Sequence, residues 1–207
     1  MIPLNQFVET IIGEGPRAGT PCVLIRIAGC NLDCEWCDTL DKNVIQEYVA
    51  PSELARRAVS TRRQWALITG GEPLLCESTP ELAQIILDSR MKVVVETNGS
   101  FPLDSLPKAV EKSVDIKTPS SGCAGTFLET NLKLLNWKDS IRFVIANQKD
   151  FDWSLDEIVR LNLINVTDVY FSPVWGRMSP TELMVWILDS HLPVKLSLQM
   201  HKIMGVD

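Results

Sequence analysis

No apolar stretch in this 207-residue chain approaches the roughly 20 residues of a membrane-spanning helix, so no membrane partner is expected. A basic surplus is missing too: 20 Lys and Arg stand against 26 Asp and Glu, a net charge of −6. A protein that grips a phosphate backbone needs clustered cations, so no nucleic-acid partner is expected either. The first residues, Met1 to Asn5, lack the basic and apolar blocks of a signal peptide, which makes cytoplasm the expected location. There is no internal repeat, no low-complexity tract and no stretch that reads as a linker. A single domain over residues 1–207 is the expectation. Finally, the six cysteines do not form the two C-x2-C pairs with which structural zinc sites usually come.

What is present is a regular alternation. Short apolar, β-branched runs at 23–28, 66–69, 92–96, 114–117, 141–146, 169–172 and 194–198 predict strands. Between them, apolar residues at i, i+3 and i+4 predict helices over 51–61, 80–89, 127–135, 155–163 and 180–188, with Ser154 and Ser179 as N-caps of the last two. Alternating β and α units imply an α/β fold with a mainly parallel sheet and right-handed crossovers. Six or so units suit an open, partial barrel. In such folds chemistry gathers where strands end, and polar or Gly-rich segments do follow these strands, at Gly29-Cys30, Gly70-Gly71-Glu72-Pro73, Thr97-Asn98-Gly99, Lys117-Thr118 and Ser172-Pro173.

Three cysteines fall in one loop, Cys30-Asn31-Leu32-Asp33-Cys34-Glu35-Trp36-Cys37. Iron–sulfur clusters are normally held by four thiolates, so three ligands leave one iron of a [4Fe-4S] cubane open. The competing reading is a four-cysteine zinc site that borrows Cys76 or Cys123. Cys22, alternating within a strand, reads as a small buried hydrophobe.

The C-x3-C-x2-C spacing, with Trp36 before its last cysteine, resembles the signature of the radical S-adenosylmethionine (SAM) superfamily. Gly70-Gly71-Glu72-Pro73, placed directly after a strand, resembles that superfamily's second motif. The resemblance implies a partial (β/α)6 TIM-like barrel. It also implies a [4Fe-4S] cluster on Cys30, Cys34 and Cys37, and SAM held by Trp36, Cys37, Asp38, Gly70, Gly71, Glu72, Gly99, Asp115, Lys117 and Ser172. Read alone, Gly-Gly-Glu-Pro is a turn and Lys117 a solvated strand-end charge.

The flanks narrow the resemblance. Gly13-Glu14-Gly15, Arg26, Gly29-Cys30-Asn31-Leu32, Trp36-Cys37-Asp38-Thr39 and the closing Gln199-Met200-His201-Lys202 together are similar to the 7-carboxy-7-deazaguanine synthase family. That family's reaction is a carbon–nitrogen lyase step: 6-carboxy-5,6,7,8-tetrahydropterin becomes 7-carboxy-7-deazaguanine with loss of ammonia, on the way to 7-deazapurines such as queuosine. The implied substrate contacts are Ile11, Ile12, Gly13, Glu14, Arg26, Thr97, His201 and Asp207. Arg26 would grip a carboxylate with its planar fork. Thr39 would offer oxygen to a magnesium ion. A homodimer and a flavodoxin- or ferredoxin-like electron donor are further expectations of the resemblance.

Two features depart from that family. Ile11-Ile12 stands where a Gln usually precedes Gly-Glu-Gly, and Asp115-Ile116-Lys117 is closer to the activases of glycyl-radical enzymes. An activase is therefore the alternative function, and a tRNA-modifying enzyme is disfavoured by the acidic balance. Arg26 as an internal ion pair and Thr39 as a turn cap are the plain structural readings.

Overall fold

The computed structural model describes residues 1–206. Nine strands are formed: β1 (Ile2–Ile11), β2 (Pro21–Ile27), β3 (Glu47–Val49), β4 (Trp65–Gly70), β5 (Lys92–Thr97), β6 (Glu111–Asp115), β7 (Ser140–Ile145), β8 (Asp168–Pro173) and β9 (Lys195–Leu196). They build one curved sheet in the order β3-β1-β2-β4-β5-β6-β7-β8-β9. Every pairing from β2 to β9 is parallel, while β1 pairs antiparallel with both β2 and β3. This is the open, partial barrel that the alternation predicts, extended at one edge by an antiparallel hairpin.

Side chains alternate across each strand, and here the alternation divides the protein into an outside and an inside. Outward residues such as Val23, Ile25, Ile68, Val95, Ile141, Phe143 and Phe171 are buried in the main core beneath the helices. These helices are α1 (Pro51–Ser60), α2 (Thr79–Asp88), α3 (Gln148–Arg160) and α4 (Pro180–Ser190). Phe143, Phe151 and Phe171 meet edge to face, Phe151 and Phe171 with centroids 5.3 Å apart. Burial of each such ring is worth roughly 1.5–3 kcal/mol.

Inward residues fall in two tiers. The lower tier is apolar: Ile12, Cys22, Leu24, Trp65, Leu67 and Val94 form a second buried cluster. Trp65 closes its base between the cations of Arg17, 4.7 Å from the ring centroid, and Lys92, 5.1 Å away. The upper tier, two strand positions later on β2, β4 and β5, is polar: Arg26, Thr69 and Glu96, joined by Asp115 and Arg142. The site therefore sits at the C-terminal ends of the parallel strands, on an apolar floor.

Several expected elements differ. β1 and β3 are absent from the sequence reading. The helix expected over 127–135 is a 3-10 segment, Glu129–Leu134. It turns around the buried Asn131, whose carboxamide donates to Gly99 O and Phe101 O and accepts from Leu103 N. α3 begins at Gln148 rather than near 155, because Asn147 is its cap and accepts from Asp150 N at 3.1 Å. Ser154 lies inside that helix and donates to Asp150 O. Ser179 does cap α4, accepting from Glu182 N. The strand expected over 194–198 shortens to two residues, and a short helix, α5 (Met200–Met204), follows it.

Candidate active site

A cavity of about 530 Å³ opens at the polar end of the barrel. Its wall contains Ile11, Gly13, Glu14, Arg26, Cys30, Cys34, Trp36, Cys37, Asp38, Thr39, Gly70, Gly71, Thr97, Asp115, Lys117 and His201. Residues far apart in sequence thus meet in one chamber of a size suited to a cofactor with a small substrate.

The cysteine loop leaves β2 and crosses the rim. Lys42 anchors it, donating from Nζ to Leu32 O at 3.1 Å and to Asp33 at 3.0 Å. Glu35 N donates to Ser121 O at 3.0 Å, which ties the loop to the turn after β6. On that turn Cys123, buried, lies close to Cys34. Burial pushes the Cys34 thiol up to about 11, with Lys117 opposing. Opposite the loop, a Cβ on Gly71 would stand 2.5 Å from both Cys30 Cβ and Gly29 O. A Cβ on Gly70 would collide with the carbonyl oxygen of Ile27. Glycine is required at both positions for the backbone to lie this close to the loop. Three thiols from one loop, a cationic neighbour and a side-chain-free floor are what a polynuclear iron–sulfur cluster with a bound nucleoside requires.

Charge inside the cavity centres on Arg142. Its Nε donates to Asp115 Oδ1 at 2.5 Å and its Nη2 to Asp115 Oδ2 at 2.9 Å. Its Nη1 meets the Glu14 carboxylate as an ion pair without hydrogen-bond geometry. Lys117 adds a second cation 3.1 Å from Asp115. Burial alone would raise the Asp115 carboxyl, but Arg142 and Lys117 outweigh it and hold it below the usual range. Burial would likewise strip protons from Lys117, yet Asp115 and Cys34 hold it above its ordinary value. Glu96 lacks such a partner. It accepts a hydrogen bond from Thr69 Oγ1 at 3.1 Å. Burial lifts it to about 7, with Arg142 opposing and Glu14 and Asp115 adding to the rise.

The C-terminal segment crosses the mouth. Gly15 N donates to Ser197 Oγ at 3.0 Å, Gln199 Nε2 to Glu14 at 3.3 Å, and Met200 N to Gly13 O at 2.9 Å. Lys202 Nζ pairs with Asp38 at 2.9 Å. These bonds bridge the open edge of the barrel, from the strand-β9 side back to the β1–β2 hairpin. Burial lowers His201 below the ordinary imidazole value, with Glu14 and Asp38 opposing.

Four residues expected at the site lie off the cavity wall. Ile12 is in the apolar tier. The Glu72 carboxylate is fully buried and accepts from Leu74 N, Thr97 Oγ1 and Asn98 N, so it shapes the turn from within. Gly99 is wedged against Phe127 and Val114. Ser172 is fully buried and donates to Glu14 at 3.4 Å. Asp207 lies outside the described residues. Sequence reasoning passed over Thr69 and Arg142, and took Glu96 only as part of the Glu96-Thr97-Asn98-Gly99 segment that the resemblance places near SAM. Arg142 carried a usable signal, a charge inside an apolar strand, the same signal that marks Arg26. Of the tryptophans, Trp175 stands at the rim, and Trp153 and Trp186 pack on the core. Trp137 is exposed, as is His191 in its loop.

Comparison with known proteins agrees with this geometry. Residues 24–162 match the Radical SAM superfamily. The 7-carboxy-7-deazaguanine synthase of Clostridium acetobutylicum is 38% identical over 97% of this chain and 94% of its own. The synthase of that name from Chlorobaculum tepidum is 34% identical over 97% and 93%. Among solved structures, QueE from Escherichia coli superposes with a TM-score of 0.76 at 22% identity, covering 97% of this chain and 94% of that one.

Proposed function

The chain belongs to the 7-carboxy-7-deazaguanine synthase family of the Radical SAM superfamily, and from that premise we propose that it converts 6-carboxy-5,6,7,8-tetrahydropterin to 7-carboxy-7-deazaguanine with loss of ammonia. The observation that carries this reading is the meeting, in one cavity, of the three-cysteine loop with Arg26, Thr39 and Glu14. The first holds the radical source; the other three present a cation, a hard oxygen and a carboxylate to a small polar acid.

Cys30, Cys34 and Cys37 would hold a [4Fe-4S] cluster, which together with SAM would supply the one-electron radical chemistry that removes hydrogen from the substrate. The protein's own groups do the rest. Backbone at Gly70 and Gly71 would let SAM approach closely, with Trp36, Asp38, Asp115 and Lys117 flanking it. Arg26 would pair with the substrate carboxylate, and Thr39 would offer its hydroxyl to a magnesium ion. Glu14, fixed by Arg142, accepts from the amino and N–H edge of the pterin, alongside Thr97 and the backbone at 11–13. The C-terminal segment carries His201 over the mouth and shields the chamber from water.

We place residues 1–207 in one working domain that acts as a homodimer in the cytoplasm, receives electrons from a flavodoxin- or ferredoxin-like protein, and feeds 7-deazapurine synthesis, including the tRNA modification that uses it. The activase alternative is not favoured, because the full-length relatives carry the synthase name. Anaerobically reconstituted protein with SAM, dithionite and carboxytetrahydropterin should yield 7-carboxy-7-deazaguanine by mass spectrometry. SAM cleavage without that product would overturn the assignment.

A further inference from the structure

Strand β1 does not run in simple register with β2. Leu4 pairs with Ile27, but the next pair is Gln6 with Arg26, so two residues advance on β1 against one on β2. The extra residue is Asn5, the signature of a β-bulge. Without it Asn5, not Gln6, would stand opposite Arg26. With it, Asn5 turns away and pins the loop after the cysteines, donating from Nδ2 to Asp41 O at 3.0 Å and Val44 O at 2.9 Å. Gln6 turns towards Arg26 and accepts from its Nε at 3.1 Å. Bulges beside active sites re-aim side chains in this way.

We infer that Gln6 is a positioning residue that presents the Arg26 guanidinium to the substrate carboxylate, an inference that rests on the function proposed above. Arginine has five N–H donors. One goes to Gln6 and one to Thr39 Oγ1, at 3.1 Å each, leaving 5 − 2 = 3 for a ligand that takes two. The two contacts fix the plane of the guanidinium from opposite ends, so its remaining fork points in one direction before substrate arrives. Freed from Gln6, the same side chain would sample other rotamers, and carboxylate binding would carry the cost of ordering it.

The test measures binding to reconstituted holoenzyme with SAM, using carboxytetrahydropterin and tetrahydropterin, which lacks the carboxylate. Wild type should prefer the carboxylated ligand. Gln6→Met, close in length but a poor acceptor, should weaken that ligand roughly tenfold, the loss of one charge-assisted hydrogen bond, and leave tetrahydropterin unchanged. In turnover KM should rise by a similar factor with kcat within about twofold, since Gln6 touches no reacting atom. Gln6→Glu keeps an acceptor but adds a carboxylate that competes for Arg26, and its preference should fall further. Equal weakening of both ligands, or unaltered preference in both variants, would show that Gln6 only supports the strand pairing and would overturn the inference. Wild type that does not distinguish the two pterins would sink the substrate assignment itself, and the inference with it.

Discussion

Arg142, on strand β7, is clamped between Asp115 of the neighbouring strand and Glu14 of the β1–β2 hairpin, so a single guanidinium joins two walls of the barrel. All three side chains are largely shielded from solvent. A buried ion pair is costly to break from one side, because the abandoned charge stays in low dielectric.

The first prediction follows. Arg142→Met should destabilise the protein by about 3–5 kcal/mol, the usual cost of leaving buried charges without their partner. Urea denaturation measures it. Adding Glu14→Gln to the same chain should recover a substantial part, since Asp115 keeps Lys117 as its partner and no charge is then left alone. Recovery separates an electrostatic clamp from simple packing. A single variant as stable as wild type would show that the hairpin is held by its other contacts alone.

The rim of this site was readable from sequence and the polar tier beneath it only partly. The cysteine spacing and Gly70-Gly71 are local signals, and each lies where a strand ends. Arg142, Glu96 and Thr69 come together only when the inward positions of different strands are aligned, which requires the register of the sheet. The missed strand β1 has a physical cause as well. Asn5, Gln6, Glu9 and Thr10 interrupt its apolar pattern, and the bulge at Asn5 breaks the two-residue period on which a strand is recognised. At Asn131 the helical spacing of leucines was outweighed by a buried carboxamide that satisfies three backbone groups, which holds the chain in tight 3-10 turns.

Gly13 and His201 make the second prediction. A Cβ at residue 13 would overlap the imidazole ring of His201, so in Gly13→Ala the ring must move, and α5 is expected to shift outward with it. The displacement would strain the Met200 N to Gly13 O bond and the Lys202–Asp38 pair. The variant should be cut by trypsin after Lys202 several-fold faster than wild type, while the barrel core keeps its hydrogen-exchange protection. Gly125→Ala is the control: it carries local backbone strain at φ +79°, but a Cβ there meets nothing within 4 Å. It should leave cleavage at Lys202 unaltered. Unchanged cleavage in Gly13→Ala would mean that the C-terminal segment does not depend on this contact.

Glu96 contributes to the pH response of the cofactor-free protein. Burial raises its carboxyl to about 7 in the folded chain, against about 4.3 for an exposed glutamate. Between those two values the unfolded chain has released the proton and the folded chain still holds it. The unfolded state then binds fewer protons, so stability falls as pH rises through this window and levels off above it. Glu96→Gln, which stays neutral at every pH, removes that contribution. Its stability should fall less steeply than that of wild type from about pH 4.5 to 7, and above pH 7 the variant should be the more stable of the two. Denaturant melts of both proteins at half-unit pH intervals measure the difference directly. Parallel profiles would mean that Arg142, facing Glu96 across the cavity, already keeps this carboxylate ionised.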